Sequence, residues 1–127
     1  MSTSSPITIN RSAFPATLKF VNVTYTGASS HILVPAVTSK LLKIWMLDLF
    51  VSGDSTVELF NGTTSFTQAL SLLAGGHLQY GFFPLIPSTN FSRSFVPFTC
   101  SLETDFKVTL GSAVTIAGII WYEEAAP

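Results

Sequence analysis

Two histidines, seven carboxylates and one cysteine are what this 127-residue sequence offers to acid–base, metal or thiol chemistry. His31 follows Ser29-Ser30, and His77 follows Gly75-Gly76. A Ser/His/Asp site can be drawn from His77, a serine and Asp105, but nothing marks a nucleophile elbow. Each histidine reads better as a polar residue at a strand edge. Glu103 and Asp105 alternate on one strand face, where a carboxylate pair could cleave a glycosidic bond; a solvated face is the plainer reading. Asp48 is the one carboxylate inside an apolar strand. If buried, it must be paired, with Lys43 or Arg93, or neutralised; a structural ion pair at a subunit contact is favoured. Cys100 has no second cysteine to pair with and reads as a small buried hydrophobe. No His or Cys residues stand at zinc-ligand spacing, no Asp-x-Asp-x-Asp-Gly loop occurs, and no Gly-Lys-Ser/Thr follows Gly75-Gly76. The expectation is a non-enzymatic protein without metal or cofactor. Tyr80, Phe83, Phe91 and Trp121 could stack on a sugar, although aromatic residues in strands are more often core. The sequons at Asn10, Asn22, Asn61 and Asn90 carry no weight, because no signal peptide is evident.

The elements that hold these groups follow from composition and pattern. Apolar residues make up 47% of the chain and charged residues only 10%, with 16 Ser and 15 Thr as the polar filler. A typical domain is about 25% charged. The net charge of -1 gives no footprint for nucleic acid or an anionic membrane. No apolar run is long enough for a transmembrane helix. A surface so poor in charge is barely soluble alone, so much of it is expected to be covered by copies of itself or by a partner. The length fits one domain with a real core.

Residues 1–16, broken by Pro6 and Pro15, read as an N-terminal arm: either a disordered tail or a tether that orders on a partner through Ile7, Ile9 and Phe14. From residue 17 to 127 the chain is punctuated like an all-β domain. Strands are expected at 17–25, 30–37, 41–51, 55–60, 65–73, 77–83, 95–101, 103–110 and 113–122. Of these, 65–73 would also suit a helical turn. Asn61-Gly62 signals a type I′ hairpin. In 103–110, Phe106, Val108 and Leu110 oppose Glu103, Asp105 and Lys107. Val57 and Leu59 oppose Thr56 and Glu58, and Leu78, Tyr80 and Phe82 oppose His77, Gln79 and Gly81.

Two strands do not alternate. In 41–51 one face carries Leu41, Trp45, Leu47, Leu49 and Val51, and the other Leu42, Ile44, Met46 and Phe50. In 113–122, Val114, Ile116, Ile120 and Tyr122 oppose Ala113, Ala117, Ile119 and Trp121. A strand apolar on both faces needs two dry partners: the domain's own core and either a second layer or a neighbouring subunit. The subunit is favoured, with Trp45, Leu47, Asp48, Ile119 and Trp121 at the contact. The proline-stiffened stretch 84–97 places Phe91 and Phe95 around Arg93, either as an interface anchor or with both rings folded inward as core.

The run KLLKIWMLDLFVSGDSTVELFNGTTSFTQALSLLAGGHLQYGFFP, followed by SLETDFKVTLGSAVTIAGIIWYEE, resembles small β-sandwich proteins of tailed-phage virions. The shared pattern is a long apolar strand, a hairpin at Asn61-Gly62, an Ala-Gly-Gly stretch, an aromatic-Pro strand end and a closing strand pair, over about residues 28–124. The resemblance implies an antiparallel β-sandwich of jelly-roll type and a homotrimer. It implies a capsid decoration (cement) role on the virion surface, after synthesis in the host cytoplasm. The partner would be the major capsid protein or another virion component. A trimeric fibre or tail module that binds a host receptor or glycan is the alternative.

Overall fold

The computed structural model describes residues 18–81 and 97–127, and the expected arm at 1–16 lies outside them. Among the described residues there is no helix, and the chain is an antiparallel β-sandwich. Its strands are β1 (Lys19–Thr26), β2 (Ser30–Val34), β3 (Leu41–Val51), β4 (Ser55–Asn61), β5 (Thr64–Ser65), β6 (Leu70–Leu72), β7 (His77–Tyr80), β8 (Phe98–Thr99), β9 (Phe106–Leu110) and β10 (Thr115–Ala125). Sheet A has the order β1-β10-β3-β7, with β8 also on β3; sheet B has the order β2-β9-β4-β5, with β6 also on β4.

The core lies between the sheets. Phe106, Val108 and Leu110 point into it from β9, and Val57 and Leu59 from β4, as period-two alternation requires. From sheet A come Val23, Leu78, Ile116 and Ile120, with Val114, Tyr80 and Tyr122 packed against them. Phe98 sits at the centre of an aromatic cluster, 4.9 Å from both Phe66 and Tyr80 and 6.0 Å from Phe106, ring centre to ring centre.

Strand β3 departs from simple alternation. Its core residues are Leu42 and Ile44, then Leu47, Leu49 and Val51. The parity changes because Trp121 of β10 pairs with Met46 while Tyr122 pairs with Ile44, leaving Trp45 as an extra residue. This is a β-bulge. The two apolar faces expected for 41–51 are thereby corrected. One inner face carries Leu42, Ile44, Leu47, Leu49 and Val51, and the outer one carries Lys43, Trp45, Met46, Asp48 and Phe50.

Three local expectations also change. In the β4–β5 hairpin, Asn61 pairs with Thr64, so the loop is Gly62-Thr63. Gly62 has a φ of 62° and Thr63 is not in the positive range, the pattern of a II′ turn and not I′. The stretch 65–73 forms no helical turn; it breaks at Gln68, with a φ of 63°, between β5 and β6. Glu103 is not on a strand face but in a turn, with a φ of 52°. Its Oε2 accepts from Ser39 N at 2.8 Å, and Asp105 Oδ1 accepts from Ala36 N at 2.7 Å. Both carboxylates satisfy backbone donors of the β2–β3 connection and are not a free acid–base pair.

Cys100 is only 1% exposed. Burial, with a smaller contribution from Asp105, pushes its thiol up from 9.0 to about 12. A thiol disulfide reagent at pH 8 should leave the folded protein unlabelled and react on unfolding. The fold holds the proton, so stability should fall as pH rises from about 9 toward 12. Cys100→Ala should lose that alkaline component in a comparison of melting curves.

Candidate interaction face

The functional candidate is the outer face of sheet A, and strand register builds it row by row. Phe20, Trp121 and Met46 stand side by side across β1, β10 and β3. Asn22, Ile119, Asp48 and Gln79 form the next row, which reaches β7. Thr24, Ala117, Phe50 and His77 form the third. Directly opposed residues of antiparallel strands share a face, so these rows lie on one surface.

That surface is unusually apolar for the outside of a sandwich. Phe20 is 57% exposed and Phe50 42%. Ile119 and Trp121 are half-buried, whereas Trp45 and Met46 are buried on this side. The Phe20 and Trp121 rings lie 5.1 Å apart. Trp45 Nε1 donates to Glu123 Oε1 at 3.2 Å.

One imidazole–carboxylate contact is set into the apolar rows. His77 Nδ1 and Asp48 Oδ1 are 2.8 Å apart, with side chains 51% and 28% exposed. The contact is diagonal, since Asp48 is opposite Gln79 and His77 opposite Phe50. The Phe50 ring lies 5.6 Å from the imidazole. Backbone bonds fix this register where β7 begins: Gly75 N donates to Val51 O at 2.7 Å, and Val51 N to Gly76 O at 3.2 Å. Asp48 is half-buried, and among the described residues its partner is His77 and not the expected Lys43; Arg93, the other expected partner, lies outside the described residues. Elsewhere, Lys19 Nζ lies 3.0 Å from Glu124 Oε1, and the hydrogen bond that the ammonium donates to this carboxylate holds the Lys19 pKa above its ordinary value.

Of the residues expected at a subunit contact, Trp45, Asp48, Ile119 and Trp121 share this face. Leu47 does not: it is 0% exposed and belongs to the core, because the bulge turns it inward. Ile7, Ile9, Phe14, Phe91, Arg93 and Phe95 lie outside the described residues. Of the possible sugar platform, Tyr80 packs against Phe98 on the core side, and Phe83 and Phe91 lie outside the described residues. Phe20, Phe50 and His77 join the face without having been singled out for it. Alternation places Phe50 opposite Trp45 only when the bulge is ignored, which is why it was separated from its true neighbours.

The arrangement does not assemble a hydrolase site. The acid beside His77 is Asp48, while Asp105 is engaged with Ala36 N. Among the described residues no hydroxyl or thiol is hydrogen-bonded to His77. His31 supports a turn: its Nε2 is 3.0 Å from Gly27 O, and its ring stacks on Tyr25 at 5.1 Å. Among the described residues no group of three His, Cys, Asp or Glu side chains could hold a metal ion. The described residues hold no helix long and apolar enough to cross a membrane. What the face can do is bind another surface by burying aromatic and aliphatic area around one imidazole–carboxylate contact. Neither protein-family models nor curated proteins give a match to this chain.

Proposed function

We propose that this chain is a non-enzymatic structural protein of a tailed-phage virion, a decoration (cement) protein that binds the head as a homotrimer. The observation that carries the reading is the partly exposed apolar face of sheet A, with Phe20, Phe50, Ile119 and Trp121 brought together by register on a chain only 10% charged. Contiguous apolar patches on a sandwich mark interaction surfaces. The strand order supports a jelly roll. The chain passes from sheet to sheet at six of its nine connections, and β1-β10-β3-β7 faces β2-β9-β4-β5 as two interleaved Greek keys would. The resemblance to virion sandwich proteins supplies the setting, and the major capsid protein is the partner it suggests.

The test uses the purified full chain. Light scattering should give about three times 13.7 kDa, and the protein should co-sediment with heads that lack decoration. A monomer at micromolar concentration overturns the trimer. A trimer that ignores heads but binds an immobilised glycan points instead to a receptor-binding fibre or tail module, for which the exposed Phe20 ring beside half-buried Trp121 offers a stacking surface.

A further inference from the structure

We infer that Asn61 is a modification site that the fold holds shut: the turn at residues 100–105 latches the Asn61-Gly62 bond against deamidation, and opening of that turn releases it. The site belongs to sheet B and does not depend on the trimer. The four asparagines of the chain are followed by Arg11, Val23, Gly62 and Phe91. An asparagine deamidates when the next main-chain nitrogen attacks its side-chain carbonyl carbon. A glycine, having no Cβ, obstructs that approach least. Asn61-Gly62 is therefore the most reactive of the four bonds.

The turn engages each group that the attack needs. Asn61 Nδ2 donates to Ser101 Oγ, and Asn61 Oδ1 accepts from Ser101 N, both at 3.0 Å. This two-point clasp fixes the side chain that would have to swing. Gly62 N, the nucleophile, donates to Asp105 O at 2.9 Å. Thr104 Cγ2 lies over Gly62, 2.8 Å from where a Cβ would stand. The Asn61 backbone is held between Phe106 and Thr64 in the sheet. The turn is anchored in its own right: Cys100 N donates to Leu42 O at 2.8 Å, and Glu103 N to Lys40 O at 2.9 Å. Ser101 is exposed, so water enters once the turn lifts. In that open form Gly62 N attacks Asn61 Cγ and a cyclic succinimide closes. The side-chain nitrogen leaves as ammonia, taking the Gly62 proton. Water then opens either carbonyl of the ring, giving aspartate or isoaspartate. Aspartate lacks the Nδ2 donor to Ser101. Isoaspartate adds a carbon to the main chain of the β4–β5 hairpin and breaks its register. Neither product reverts to asparagine, so the modification is a one-way record of local opening.

The experiment incubates the full chain in mildly alkaline buffer, folded and in urea, and follows loss of Asn61 by peptide mapping with isoaspartate detection. Folded wild type should react more slowly than the chain in urea by about tenfold or more. Ser101→Ala removes the acceptor for Nδ2; it should stay folded and lose Asn61 about threefold faster than folded wild type, or more. Val23→Ala, a core truncation in the other sheet, should lower the melting temperature and leave Asn61 protected. Equal rates for wild type folded and in urea overturn the protection. A Ser101→Ala variant that reacts at the wild-type rate, or a Val23→Ala variant that reacts as fast as Ser101→Ala, overturns the latch, because global unfolding then sets the rate. Where Ser101→Ala melts below the working temperature, Thr104→Ala, which uncovers Gly62 and keeps both Asn61 hydrogen bonds, is read in the same way.

Discussion

Gly118→Ala should leave little folded protein: the variant is expected in the insoluble fraction, or with a melting temperature lowered by about 10 °C or more. Gly118 lies inside β10, between Val23 of β1 and Leu49 of β3. A Cβ there would run into the Asp48 carbonyl oxygen and stand 2.9 Å from both the Asp48 carbonyl carbon and the Leu49 Cα. All three atoms are main chain, held in place by the β3–β10 ladder, so no flexible side chain can swing aside. Its φ of 156° is also one that residues with a Cβ seldom adopt. Overpacking and backbone strain together cost about 3 kcal/mol or more. Circular dichroism and thermal melting check this directly. A variant that melts like wild type would mean that β3 and β10 can separate without loss, contrary to the central place of both strands.

The next residue should give the opposite result. Ile119→Lys should leave the monomer folded, with stability changed by less than about 1 kcal/mol, and weaken self-association by about 100-fold or more. Ile119 faces outward, directly opposite Asp48, so a lysine there meets a carboxylate across the strands and is tolerated. Covered by a second copy, the same lysine brings an extra charge into an apolar contact. Sedimentation velocity with a parallel melting curve separates the two effects. If association is unchanged, the outer face of sheet A is not the contact between copies.

Much of the fold was legible because strand signals are local. Each stretch read as a strand overlaps one in the structure, and the inward sets Val57/Leu59 and Phe106/Val108/Leu110 follow from alternation alone. The site was legible in part. Trp45, Asp48, Ile119 and Trp121 do share one face of sheet A, because a second apolar side on two strands is itself a local signal. Leu47 was misplaced because Leu42 and Ile44 in one phase look no different from Leu47 and Leu49 in the other. With both phases apolar, sequence offers no contrast by which to find a phase change. The Asp48–His77 pair was missed for another reason. It joins residues 29 apart in the chain, and their meeting depends on how the Gly75-Gly76 turn sets the β7 register. Glu103 was misread because charged and apolar residues alternating through a turn look like a strand that starts earlier.

The extra residue in β3 bears on how this sequence should be aligned with others. Trp45 is the one position in the strand that the sheet does not count. A relative with a one-residue gap there would still set Met46 opposite Trp121 and Ile44 opposite Tyr122, and its hydrophobic side would be unbroken. An alignment that instead put this gap at Leu47 would set the relative's equivalent of inward Leu47 against outward Met46, one position out of phase. Length variation between Ile44 and Leu47 is therefore compatible with one unchanged architecture. An alignment that slides the gap a few positions toward Val51 would assign solvent residues to the interior and interior residues to solvent.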